Sequence, residues 1–190
     1  MLASSYLLGY LLLANLVPGG RFETIYSFKD NPFISALRPA ERLTEFPRTS
    51  PSNGQAIIGD PVYFDLHLPS SFENIELTIL YENPKNQKWT LDAFTDRNLW
   101  KFINAAIHVR AKDGKEEARA VFSTTGLDIA SRTITFIIGA PEARDLNELR
   151  IYEIKIIATK SPLSAREALL KIFSVLRRKI INHQWKQQLN

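Results

Sequence analysis

Between residues 60 and 160, apolar and polar side chains alternate in short runs divided by turn residues. Val62, Phe64, Leu66 and Leu68 alternate with Tyr63, Asp65 and His67, and Ile75, Leu77, Ile79 and Tyr81 alternate with Glu76, Thr78 and Leu80. A period of two sends the two sets to opposite faces, so each run is a strand with one buried side. Further strands are expected over 21–28, 88–94, 106–111, 118–123, 133–138 and 149–158. Asn83-Pro84-Lys85-Asn86 and Lys112-Asp113-Gly114-Lys115 have the composition of hairpin connections, because Asn, Gly and Pro suit the backbone angles of tight turns. No helix-length period occurs in this region, which disfavours a parallel α/β sheet. The expected architecture is therefore all-β: an antiparallel β-sandwich over 21–160, jelly-roll-like or immunoglobulin-like. Residues 30–59 interrupt the pattern with Pro32, Pro39, Pro47 and Pro51, and are expected to form a long surface connection held by Phe33, Ile34, Leu37 and Phe46.

The two ends depart from this pattern. Residues 1–20 carry no charge, and Leu2–Val17 is a leucine-rich run that stops at Pro18-Gly19-Gly20. Two readings stay open. A membrane or export segment suits the leucines, although the run is shorter than the roughly 20 residues that span a bilayer and lacks a basic flank. A strand turning at Pro-Gly-Gly to pair with 21–28 suits the glycines. At the other end, 163–189 has a helical period. Ser164 and Glu167 form a capping box, and Leu169, Ile172, Phe173, Leu176 and Ile180 fall on one stripe. Six basic residues and one acidic residue between 164 and 190 give this segment +5, while the whole chain carries +4, so the remaining body carries −1. The expected domains are an apolar segment over 1–20, a sandwich over 21–160 and a basic amphipathic helix over 161–190. The helix stripe suits docking on the sandwich or lying on an anionic membrane, with Phe173, Leu176, Ile180 and Trp185 in the apolar contact and Arg177, Arg178 and Lys179 at phosphate level.

Composition narrows the chemistry. The 190-residue chain is long enough to bury a core without disulfide or metal, and it has no cysteine, which removes thiol nucleophiles, Cys-rich zinc sites and iron–sulfur clusters. His67, His108 and His183 are too dispersed to form a local ligand motif. Tyr63, Asp65 and His67 share one strand face, where an Asp beside a His is half of a catalytic arrangement, but no GxSxG-type nucleophile turn accompanies them. Their expected role is a solvated strand face. The acidic residues form no calcium loop. No catalytic residue, metal or cofactor is expected. Nor is nucleic acid, since RNP aromatics and GXXG loops are absent.

Binding chemistry is the remaining candidate. Exposed aromatics stack on sugars as they do at protein interfaces, and Trp89, Trp100, Phe102, Tyr63 and Tyr81 are candidates against a background expectation of core packing. The polar run Thr95-Asp96-Arg97-Asn98-Leu99-Trp100 has the form of a recognition lip, which adds Asp96 and Asn98 to a ligand-contacting set of Trp100, Trp89 and Tyr63.

Two strand phrases carry a resemblance. Gly-Arg-Phe-Glu-Thr-Ile-Tyr-Ser-Phe-Lys-Asp-Asn-Pro-Phe-Ile-Ser-Ala-Leu-Arg-Pro-Ala-Glu-Arg-Leu, from Gly20 to Leu43, is one. Asp-Pro-Val-Tyr-Phe-Asp-Leu-His-Leu-Pro-Ser-Ser-Phe-Glu-Asn-Ile-Glu-Leu-Thr-Ile-Leu-Tyr-Glu-Asn, from Asp60 to Asn83, is the other. Together they resemble uncharacterised membrane-anchored β-sandwich proteins of uncultured small-genome bacteria, over about a third of the chain. The resemblance implies export and membrane attachment and assigns no activity or functional residue. Such proteins carry a complete membrane helix before the sandwich, and Leu2–Val17 is shorter than that. The expected function is an exported, envelope-attached binding or interaction module without catalysis, whose partner is a membrane surface or an envelope protein. The alternative is a glycan-binding jelly-roll domain or, behind it, a carbohydrate-active enzyme.

Overall fold

A computed structural model describes residues 20–44, 54–112, 114–144 and 148–161, without the side chain of Lys112. The apolar run over 1–17 and the helix over 163–189, with Phe173, Leu176, Arg177, Arg178, Lys179, Ile180 and Trp185, lie outside the described residues, as does Phe46. The chain divides into two units. Phe22–Thr159 is one; the other, Met1–Arg21 with Lys160–Asn190, contributes only residues 20, 21, 160 and 161 to the description.

Unit Phe22–Thr159 is an antiparallel β-sandwich. Its strands are β1 (Arg21–Tyr26, whose first residue belongs to the other unit), β2 (Gln55–Ile57), β3 (Val62–His67), β4 (Asn74–Glu82) and β5 (Thr90–Asp96). They are followed by β6 (Lys101–Asn104), β7 (His108–Lys112), β8 (Lys115–Ser123), β9 (Thr133–Gly139) and β10 (Leu149–Thr159). One sheet has six strands, ordered β1-β10-β4-β8-β7 with β2 also on β10; the other has four, ordered β3-β9-β5-β6. Early strands pair with late ones in a nested series, β1 with β10, β3 with β9, β4 with β8 and β5 with β6.

Alternation decides what is buried. Ile75, Leu77, Ile79 and Tyr81 of β4, with Ala118, Ala120 and Phe122 of β8, face Val62, Phe64 and Leu66 of β3 and Ile134, Phe136 and Ile138 of β9 across the core. In β10 the register slips between Ile151 and Glu153, so the buried series that runs through Leu149 and Ile151 skips Glu153 and resumes at Ile154. The Phe136 ring stacks on Phe64 at 5.3 Å and meets Phe122 of the opposite sheet edge-on at 5.2 Å, so it joins the two layers.

Three local features differ from the sequence expectation. Residues 83–89 do not close a hairpin, because β4 and β5 belong to different sheets. The turn chemistry is present: Asn83 Oδ1 accepts the Gln87 N–H at 3.0 Å, and Asn86 has φ +49°. Turn chemistry fixes a reversal but not which sheet receives the next strand. The second difference is β2, and the third is β6, neither of which has a buried alternation in its sequence. The hairpin of β7 and β8 closes as its Asp-Gly pair predicts, with Lys112 opposite Lys115 and Gly114 at φ +78°.

The proline-rich connection is partly ordered against β3. Asn31 Oδ1 accepts the N–H groups of Phe33 and Ile34, and Ile34 and Leu37 are buried. Backbone bonds from Ser35 to Asp65 and between Arg38 and Tyr63 in both directions bind this stretch to the free side of β3.

If Phe136 carries the contact between the sheets, Phe136→Ala should lower stability by about 3–5 kcal/mol in guanidinium unfolding of the full chain. The exposed Val121→Ala should change it by no more than about 0.5 kcal/mol.

Candidate functional site

The outer face of the four-stranded sheet gathers most of the residues singled out in the sequence. Register places Tyr63 opposite Ile137 and Asp65 opposite Thr135 on β9, while Asp92 lies opposite Ile137 on the other side of that strand. On β6, Asn104 faces Asp92 and Phe102 faces Phe94. Tyr63 and Phe94 stand on strands separated by β9, yet their rings stack at 6.3 Å, so they lean together over Ile137. That contact explains why Ile137 and Phe94 are buried on an outer face. The Trp100 ring continues the row, edge-on to Phe94 at 5.8 Å.

Polar groups flank the row. Arg38 holds Asp65 through two hydrogen bonds, at 2.7 and 2.9 Å, and Thr135 Oγ1 donates to the same carboxylate. Burial alone would raise the Asp65 carboxyl, but the hydrogen bonds from Arg38 and Thr135 and the charges of Arg38 and Arg97 outweigh it and hold it below its ordinary value. His67 takes a separate partner, with Nδ1 at 3.0 Å from Thr133 Oγ1. Asp65 and His67 are therefore each engaged elsewhere, and no Asp–His pair is formed. Asp92 behaves oppositely to Asp65. It is 5% exposed, accepts from Thr90 Oγ1 at 2.8 Å, and burial raises its carboxyl despite Thr90 and Asn104.

The β5–β6 hairpin forms the lip expected from the sequence, with different roles for its residues. Asp96 Oδ1 accepts the N–H groups of Asn98 and Leu99, so its carboxylate builds the turn. Asn98 is exposed at the tip. Asp128 straps the base, accepting the Arg97 N–H at 3.1 Å while its own N–H donates to Phe94 O at 2.8 Å. Trp100 has φ +52°, a left-handed conformation that a bulky side chain rarely adopts.

Trp89 does not join this group. It precedes β5 with the parity of Leu91, the core side, and packs edge-on against the buried Tyr81 at 4.9 Å. Tyr81 is thus a core residue. Two members of the surface were missed from sequence, Phe94 and Ile137. Both sit in consecutive apolar runs, Ala93-Phe94 and Phe136-Ile137-Ile138, and such runs signal strands covered on both faces.

A cavity of 390 Å³ lies on the outer face of the six-stranded sheet, over Leu80 and Ile157. Two ion pairs line it, Arg119 with Glu76 at 2.6 Å and Arg110 with Glu117 at 2.7 Å. Among the described residues, no three His, Asp or Glu side chains gather as a metal site, and no helix is long and apolar enough to cross a membrane. No protein-family model matches the chain, and no curated protein matches it.

The two carboxylates should respond to acid with opposite sign. Asp65 has a depressed folded value, so its stabilisation is complete above the unfolded value near 3.8 and is lost as pH falls through the folded one. Asp65→Asn should be less stable than wild type at pH 7, and that deficit should shrink on acidification. Asp92 has a raised folded value, so its charge opposes folding at neutral pH. Asp92→Asn should therefore gain stability at pH 7, a gain that disappears below the unfolded value near 3.8. Urea unfolding across pH 3–7 reads both trends.

Proposed function

We propose that this protein is a non-catalytic binding module attached to the cell envelope, which meets a partner protein through the β5–β6 hairpin and its continuation to β7. One observation carries the reading. Of the eight large apolar side chains exposed among the described residues, five fall between 99 and 109: Leu99 at 62%, Trp100 at 67%, Phe102 at 56%, Ile103 at 49% and Val109 at 52%. Scattered exposed apolar residues need no explanation, but four of these, Leu99, Trp100, Phe102 and Ile103, fall on the single β5–β6 hairpin, and that concentration is the signature of an interaction surface. Trp100 supports the same reading, since a tryptophan held in a left-handed turn and left in water is costly to the fold and useful at an interface.

The nested pairing of strands is that of a jelly roll, a long hairpin rolled into two sheets, with β5 and β6 at its tip. This fold assignment also supports the second reading, a glycan-binding domain. The row Tyr63, Phe94 and Trp100 offers ring surface for sugar stacking. The protein partner is preferred because Asp96, the nearest carboxylate of the lip, is occupied by its own turn. Oligosaccharide addition that changes tryptophan fluorescence in wild type but not in Trp100→Phe would favour the glycan.

Envelope attachment belongs to the same proposal and rests on Leu2–Val17, on the basic stripe over 163–189 and on the resemblance described above. Neutralising Arg177, Arg178 and Lys179 should weaken binding of the full chain to anionic vesicles by about 1 kcal/mol per residue. Unchanged vesicle binding would count against surface attachment through this segment.

The partner surface is tested by photo-crosslinking in intact cells. A photoreactive aromatic residue placed at Trp100 or Phe102 should give an adduct of defined mass, and one placed at Val121 should not. Equal labelling from all three positions, or none from 100 and 102, would remove the reading.

A further inference from the structure

We infer that the partner at this edge is a second copy of the chain, joined by antiparallel pairing of β6 with β6 about a two-fold axis at Ile103. The inference rests on the binding reading above and names its occupant.

The backbone sets the register. β6 ends the four-stranded sheet, with β5 on one side and, among the described residues, no strand on the other. The Ala105 N–H donates to Leu91 O at 3.0 Å, so residue 105 turns its backbone groups towards β5. Those groups alternate in direction along an antiparallel strand, so Ile103 also turns towards β5, while Phe102 and Asn104 present N–H and C=O to the free edge. A second β6 can satisfy all of these groups with Phe102 opposite Asn104 of the other copy and Asn104 opposite its Phe102. The axis then passes Ile103, which meets its own equivalent as a non-hydrogen-bonded pair, the closer type of cross-strand neighbour.

Side chains fit the same register. Lys101 falls opposite Ala105, so no like charges face each other across the pairing. Phe102 and Ile103 lie on opposite faces of the strand and both are exposed. A strand added at this edge covers both, whereas a partner on one face would cover only one. The edge strand β7 of the six-stranded sheet carries Arg110 and Lys112, and basic residues on an edge strand oppose pairing. β6 has only Lys101, at its end. A closed two-fold contact leaves no edge open for further growth at this site, which a head-to-tail contact would not.

The chain has no cysteine, so a single introduced thiol gives a clean readout. Light scattering of the full chain in a non-ionic detergent should give a protein mass twice 21.7 kDa. Ile103→Lys places two like charges at the axis and should return the mass to that of one chain, with the β-sheet circular dichroism of the folded chain retained. Ile103→Cys should oxidise to a disulfide-linked dimer, because opposed residues of a non-hydrogen-bonded pair stand within disulfide reach, while Val121→Cys should stay reduced. A single-chain mass at every concentration overturns the pairing, as does a dimer untouched by Ile103→Lys or an Ile103→Cys that crosslinks no faster than Val121→Cys. Photo-crosslinks from position 100 separate the two levels of the argument. An adduct at a mass other than twice the chain keeps the binding surface and rejects the second copy, and the absence of any adduct rejects the surface itself.

Discussion

Phe136 touches both layers of the sandwich, stacked on Phe64 within its own sheet and edge-on to Phe122 of the other. Its strand, β9, is also the one on which the four-stranded sheet is built, with β3 on one side and β5 on the other. The inward residues of β9 therefore set the spacing of the layers, and its outward residues set the spacing of the surface. Tyr63 and Phe94 come together over Ile137 only because β9 holds their strands in register. The hairpin that follows Phe94 inherits that position, and Trp100 leans on Phe94 in turn. Core packing and the exposed lip are thus two groups of ring contacts on opposite faces of the sheet that β9 centres.

The two outer faces solve the problem of charge differently. On the six-stranded sheet, Glu76, Arg119, Glu117 and Arg110 form pairs across neighbouring strands, around a cavity whose floor holds Leu80 and Ile157. On the four-stranded sheet, Asp65 is secured by Arg38 from the proline-rich connection, which adds an irregular border to β3. That border protects one edge of the sheet. The opposite edge, β6, has no such cover among the described residues, and it is there that apolar side chains accumulate. An edge with free backbone groups and apolar side chains on both faces is poorly suited to standing alone in water.

The sandwich was legible where one face of a strand is buried and the other is wet. β3, β4, β8 and β10 announce themselves through alternation, and the Asp-Gly pair in the sequence signals the hairpin that joins β7 to β8. β6 gave no such signal because all four of its residues are exposed, so burial imposes no period on Lys-Phe-Ile-Asn. Residues 83–86 contain a genuine turn, but turn chemistry acts over four residues and the choice of sheet is made by packing over many more. For the site, Trp100 and Tyr63 were identifiable as candidates, whereas their connection through Phe94 depends on pairing to β9. Trp89 was separated from them by parity, since it stands on the core side of β5. The jelly-roll and immunoglobulin-like alternatives differ only in the order of pairing, which periodicity does not encode.

The nested pairing has a consequence for how the chain acquires its fold. The β5–β6 contact closes over a few residues, β4 with β8 over several tens, β3 with β9 over more, and β1 with β10 spans almost the whole described chain. Loop-closure entropy grows with each of these separations, so the tip is the cheapest contact to form and the outermost pair the dearest. During synthesis, β1 and β3 leave the ribosome long before β10 and β9, the strands they pair with, exist. The sandwich cannot then be assembled from its N-terminal strand onward. It has to wait for its last strands, with the early ones held unpaired in the meantime, and the segments best able to order themselves during that wait are the two local hairpins at the centre of the chain, β5–β6 and β7–β8.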